Sequence, residues 1–268
     1  MSPLTFLFFA CSSNSAEVKE EKEVNTFGKI EVAELEKVAS DVEVIPSPVK
    51  LKKELKKAGL SISVAKMIDT EDLPSFDIED KSRVAVMTGI LLTDLVITVD
   101  KATPEQIETV LLKLKEGFNK LQTGNDIQST LDDLVTTVKS PDLDRNAFLE
   151  EVDMLSSVLV PELKSEAGTW AIPLIQAGAW LEGIQVISDS IKQDNAYDKG
   201  KKLFHHPGIA PYFIRYIEEA GKEKFSNNLN TQIKTALSKL DAYGKKPEVS
   251  KEEIDEVSKI VSDLMDLL

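Results

Sequence analysis

Apolar positions recur every three or four residues through most of the chain beyond residue 45, and each such stripe predicts an amphipathic helix buried on one face. The clearest lies in TPEQIETVLLKLKEGFNKLQTG, where Ile107, Val110, Leu111, Leu114, Phe118 and Leu121 form the stripe. Thr103 and Gln106 stand at capping-box spacing around Pro104, which suits a first helical position, and Gly124 is expected to end the helix. The same grammar predicts a short helix over 48–58, with Ser47 as cap, Leu51 and Leu55 on one face and Gly59 as terminator. Further stripes run through Ile127, Leu131, Leu134, Val135 and Val138, through Phe148, Val152, Leu155 and Leu159, and through Phe225, Leu229, Ile233, Leu237 and Leu240. A last helix is expected from Ser250, with Glu253 as its box partner and Ile254, Val257, Val261 and Leu264 turned inward. No alternating run is long enough for a convincing strand, so the pattern predicts an all-α array or bundle of about 8–10 helices.

Two segments break the amphipathic rule. VAVMTGILLTDLVITV, residues 84–99, and TWAIPLIQAGAWLEGIQVI, residues 169–187, are apolar nearly all round. The first is short and holds Asp94, and the second is interrupted by Pro173 and holds Gln176 and Glu182, so neither suits a membrane span. Both are expected to be largely buried central helices of a single helical domain over residues 45–268. The small residues Ala171, Ala177, Gly178, Ala179 and Gly183 would let neighbouring helices approach closely.

The opening of the chain follows a different logic. Leu4 to Ala10 is apolar and ends in a small residue directly before Cys11, and Ser12, Ser13, Asn14 and Ser15 then lead into EVKEEKE. That order predicts a lipoprotein signal over residues 1–11: an apolar segment holds the chain in the membrane, a peptidase cuts beside a small residue, and the Cys11 thiol takes a lipid. A single acyl chain binds a membrane only marginally, whereas the diacylglycerol and N-acyl group of a mature lipoprotein anchor it stably. Residues 12–44 then read as an acidic tether with some helical tendency in IEVAELEKVAS. No Lys or Arg precedes Lys19, which an upstream start would explain, and the bulky Phe9 stands two residues before Cys11. The alternative is an ordinary N-terminus with a free thiol, in a cytoplasmic protein.

Composition narrows the partners. With 46 acidic against 32 basic residues among 268, the net charge of −14 repels polyanions, so nucleic acid is not an expected partner. A chain of this length buries roughly three quarters of its unfolded surface and needs no metal or disulfide to fold. One cysteine permits no internal disulfide and by itself does not distinguish an oxidising compartment from a reducing one.

Three islands carry a resemblance: Pro46-Ser47-Pro48, Gly89-x4-Asp94-Leu95, and Ala177-Gly178-Ala179-Trp180-Leu181-Glu182. In order and spacing they resemble a family of helical lipoproteins of the Bacteroidota type, with a lipobox, an acidic tether, an I-P-S-P opening, a core helix like G-V-Y-G-A-D-L and a later one like A-G-G-W-I-E-S. Leu91 and Leu92 stand where that family has Tyr and Gly, and Ala179 replaces a Gly. The resemblance implies an envelope address, at the outer membrane or periplasmic face, and a helical fold. It implies no activity.

Among site candidates, Asp94 and Glu182 are acids within apolar helices, and a buried carboxyl must be paired, hydrogen-bonded or protonated. If the two helices are neighbours, the acids form a polar centre that binds a cation or tunes a proton. If not, each points to a helix edge and bonds to Ser, Thr or backbone groups. Asp94, Trp170, Gln176, Trp180 and Glu182 together outline a pocket or groove, although both tryptophans read more simply as core packing. His205 and His206, the two histidines, lie in KKLFHHPGIAPYF before a helix expected near Pro207 or Gly208. Adjacent histidines ligate one metal poorly and nothing nearby completes a set, so no metal or cofactor is expected there. With Tyr212, Phe213 and Tyr216 they form a candidate exposed patch for a partner. Walker A, G-x-G-x-x-G, G-x-S-x-G, H-E-x-x-H and C-x-x-C signatures are all missing from the sequence.

These readings converge on a non-enzymatic envelope lipoprotein, joined to the membrane by its lipid, whose helical domain takes an envelope protein or peptide in a groove between helices. The alternative is a helical carrier or sensor with an internal pocket for a small apolar or amphipathic ligand, and a third reading makes Asp94 and Glu182 the paired carboxylates of an enzyme.

Overall fold

The computed structural model describes residues 47–62, 73–162, 170–200, 204, 208–220 and 227–267. These contain nine α-helices: α1 (Pro48–Lys57), α2 (Lys81–Thr98), α3 (Pro104–Lys120), α4 (Asn125–Val138), α5 (Arg145–Glu162), α6 (Ala171–Asp194), α7 (Ile209–Ala220), α8 (Asn227–Gly244) and α9 (Lys251–Leu267). No strand occurs among the described residues. The signal segment and tether expected over 1–44 lie outside them.

Local chemistry sets most helix ends. The Ser47 hydroxyl accepts the Lys50 N–H at the start of α1, and Gly59, at φ +64°, takes the left-handed turn beyond its end. Both predicted capping boxes form: Thr103 with Gln106 at α3, and Ser250 with Glu253 at α9. Gly124 differs from expectation. Gln122, at φ +59°, makes the left-handed turn after α3, while Gly124 stands at the N-cap of α4. Pro173 does not interrupt its helix either. α6 begins at Ala171, so Pro173 lies in the first turn, where the N–H it lacks has no intrahelical acceptor.

α2 and α6 form the centre and pack most extensively against each other. From α2 the chain steps outward through α3, α4 and α5, each packed on its predecessor; from α6 it passes through α7 and α8 to α9, which returns to α6. α1 lies across both central helices and touches α5. One contiguous apolar core joins all nine helices, and it contains members of every predicted stripe, Leu55, Phe118, Leu131, Phe148, Leu237 and Val261 among them. Because α2 and α6 are covered on nearly every side, they can be apolar nearly all round. No described helix is long and apolar enough to cross a membrane.

Candidate functional site

The centre of the fold is a crossing made by glycines. A Cβ placed on Gly89 would overlap the Ile175 carbonyl oxygen and stand 2.9 Å from the Ala179 nitrogen; one placed on Gly178 would overlap the Val86 carbonyl oxygen. The contact is reciprocal, since each glycine faces the carbonyl three residues before the other. Paired positions rise together, from Val86 with Gly178 to Asp94 with Glu182, so α2 and α6 run in the same sense. Only glycine lets two helix backbones come this close, and the gain is dense packing. The Thr93 hydroxyl spans the joint, 3.2 Å from the Gly89 carbonyl on its own helix and 3.3 Å from the Ala179 carbonyl on the other.

One turn beyond the glycines the two acids meet. The Asp94 carboxyl is hydrogen-bonded to that of Glu182, and burial, followed by the Glu182 charge, pushes it well above the usual carboxylate range. Glu182 is buried, and Asp94 is partly buried with its Oδ1 closed off from solvent and given no donor by the other described residues. The sequence leaves open whether these acids meet. Their joining follows from the glycine register: Glu182 lies one turn after Gly178 on the face turned to α2, and Asp94 flanks Thr93 on the opposing helix.

A second polar cluster closes the C-terminal end of α2. Lys52 of α1 is almost wholly buried, and its ammonium donates to the Val96 carbonyl at 2.8 Å and lies 3.2 Å from Asp100. Arg145 donates to the Val99 carbonyl. Two cations thus meet the negative end of the central helix. Burial lowers the Lys52 ammonium below its ordinary value despite the opposing Asp100 charge. Burial also acts upward on Asp100, but hydrogen bonds and charge from Lys56 and Lys52 outweigh it and hold its carboxyl low. Sequence reasoning missed this cluster, and nothing in LKKELKK marks Lys52 apart from the exposed Lys53 and Lys56.

The remaining candidates separate. Trp180 is buried against Phe213, with ring centroids 5.4 Å apart, and its indole nitrogen has no hydrogen-bond partner. Trp170 precedes α6, half-buried, and its carbonyl accepts the Tyr216 hydroxyl at 2.9 Å; Gln176 is half-buried on α6. The expected exposed aromatic patch is corrected: Tyr212, Phe213 and Tyr216 are all buried. They share the inward face of α7 and pack its strongly amphipathic stripe onto the core, where Tyr212 and Phe213 lie 5.1 Å apart. His205 and His206, like Cys11, lie outside the described residues.

Cavities grade from closed to open. Two flank Trp180, of about 30 Å³ and 20 Å³, each with room for a water but not for an apolar ligand. Neither is lined by Asp94 or Glu182. An open groove of about 320 Å³ runs between α8 and α9, where Thr235, Ala236 and Lys239 face Ile260, Asp263 and Leu267. Leu267 is 43% exposed. A hollow of about 460 Å³ beside the α4–α5 connection is bounded by charges that already have partners, Glu108 with Lys139 at 2.8 Å and Arg145 with the Val99 carbonyl. Among the described residues no three potential metal ligands cluster.

Compared with protein-family models, with curated proteins and with solved structures, the chain has no match in any of the three.

Proposed function

We propose that this chain is a lipid-tethered, non-catalytic binding protein of the cell envelope, and that its partner is an amphipathic helix seated between α8 and α9. The α8–α9 groove carries the reading. It is an open trough between two amphipathic helices adjacent in chain order, with an apolar floor at Ala236, Ile260 and Leu264 and the exposed Leu267 at its end. This is the geometry in which a partner helix buries an apolar stripe. A basic partner is favoured by charge: Asp263 lines the groove beside a Lys239 already paired with Glu256, and Glu252, Asp255 and Asp266 are exposed elsewhere along α9 on a chain of net charge −14. The Cys11 opening and the resemblance to Bacteroidota-type lipoproteins support the tether. The water-sized cavities around Trp180 favour this reading over an internal carrier.

The test has two arms. Full-length protein is titrated with synthetic amphipathic peptides that share one apolar stripe and carry either Lys or Glu on the polar face. Saturable binding of the Lys series, lost in Ala236→Glu and weakened by salt, is the expected result; equal indifference to both series sinks the groove. Intact mass of protein purified from host membranes reads the tether separately. A triacylated chain beginning at Cys11 is expected, and an unmodified thiol on a chain still carrying Met1 removes the lipoprotein half of the proposal.

A further inference from the structure

The carboxyl groups of Asp94 and Glu182 are hydrogen-bonded to each other at the tightest joint of the fold. Two ionised carboxylates have acceptors only, so this bond requires a proton. Several charged groups on the surrounding helices face other partners or solvent. On α1, Lys52 and Lys56 are held by Asp100, and Lys52 also by the Val96 carbonyl. On α3, Lys113, Lys115 and Lys120 face Glu116, Asp132 and Asp77. On α9, Glu253 and Glu256 pair with Lys246 and Lys239, while Lys251 lies over the Tyr197 ring. On α7, Arg215 and Glu219 are exposed and Glu218 pairs with Lys234. On α6 itself, Asp189 pairs with Lys192. Among the described residues, the charge that bears on Asp94 is that of Glu182.

We infer that Asp94 and Glu182 share one proton as a latch across the α2–α6 crossing, and that losing it loosens the two central helices. The buried Asp94 Oδ1 receives no donor from any other described group, a situation far more costly for an ionised carboxyl than for one that shares a proton with Glu182. Ionising both acids would press like charges together beside the closest backbone contact of the two helices, and the repulsion is relieved by drawing that contact apart. Since α2 and α6 carry the rest of the array between them, the latch couples proton concentration to the firmness of the whole core.

The sign follows from linkage. A carboxyl raised in the folded state holds its proton more tightly folded than unfolded, so its stabilising contribution is present at acid pH. It is lost as pH climbs from the ordinary aspartate range through the raised value.

Infrared spectra and pH-dependent melting of the full chain test this. At neutral pH the wild type should show a protonated-carboxyl C=O stretch that disappears in Asp94→Asn and in Glu182→Gln, since either amide supplies the donor and leaves an ionised partner. The same band should bleach as pH rises, together with a fall in melting temperature that Asp94→Asn abolishes. A wild type without the band at neutral pH overturns the inference even if neither variant folds. So does an Asp94→Asn protein whose melting temperature keeps the wild-type slope against pH.

Discussion

The α2–α6 crossing and the α8–α9 groove are both contacts between two helices, yet they are opposite solutions. At the crossing, two glycines bring backbone onto backbone and leave no space for another atom. At the groove, Ala236 and Thr235 of α8 stand off from Ile260 and Leu267 of α9 and leave a trough of about 320 Å³. The difference lies in what each pair has around it. α2 and α6 are enclosed by α1, α3, α7 and α9, so nearly every surface they have must be filled; α8 and α9 have the core on one side only. Side-chain size at the joint therefore governs stability at the centre and accessibility at the edge.

That contrast can be broken most severely at the glycines. Gly89→Ala and Gly178→Ala are each expected to cost about 3 kcal/mol or more in urea unfolding, because the obstacle is a backbone carbonyl and not a side chain that can turn away. A loss below about 1 kcal/mol at both positions would show that the helices separate freely and that the centre is not tight. Next in size is Lys52→Ala, which removes the buried donor to the Val96 carbonyl and is expected to cost about 2 kcal/mol by thermal melting. Thr103→Ala removes one half of a capping box at the array's edge and should cost about 1 kcal/mol, with Ser250→Ala similar. Smallest is the groove itself. Leu267→Ser is expected to change stability by less than about 0.5 kcal/mol while weakening capture of a basic amphipathic peptide, so a large stability loss there would move Leu267 from binding surface to core.

Much of this architecture is legible in the amino-acid sequence. The stripes of α3, α4 and α9 read directly as helices because their buried faces repeat at helical period, and Ser47, Thr103 and Ser250 mark starts because a cap is a local exchange between a side chain and the next few N–H groups. Gly124 and Pro173 are poorer guides, since the left-handed turn falls to Gln122 and the proline lands in a first turn where its missing N–H is not needed. The aromatics of α7 mislead for a different reason. Tyr212, Phe213 and Tyr216 stand at helical period with Ile209 and Ile217, so the stripe that buries them is present in the sequence, and composition alone hides it.

By itself, then, the sequence determined the helical class, the identity of the two central segments and most buried stripes, because these depend on periodicities within one helix. The tertiary structure alone decided that Gly89 meets Gly178, that Asp94 reaches Glu182, that Lys52 is buried while Lys53 is not, and that a trough opens between α8 and α9. Each of these depends on the relative rotation and height of two helices packed together. That register is fixed by the fit of both surfaces at once, and no stretch of sequence carries it alone.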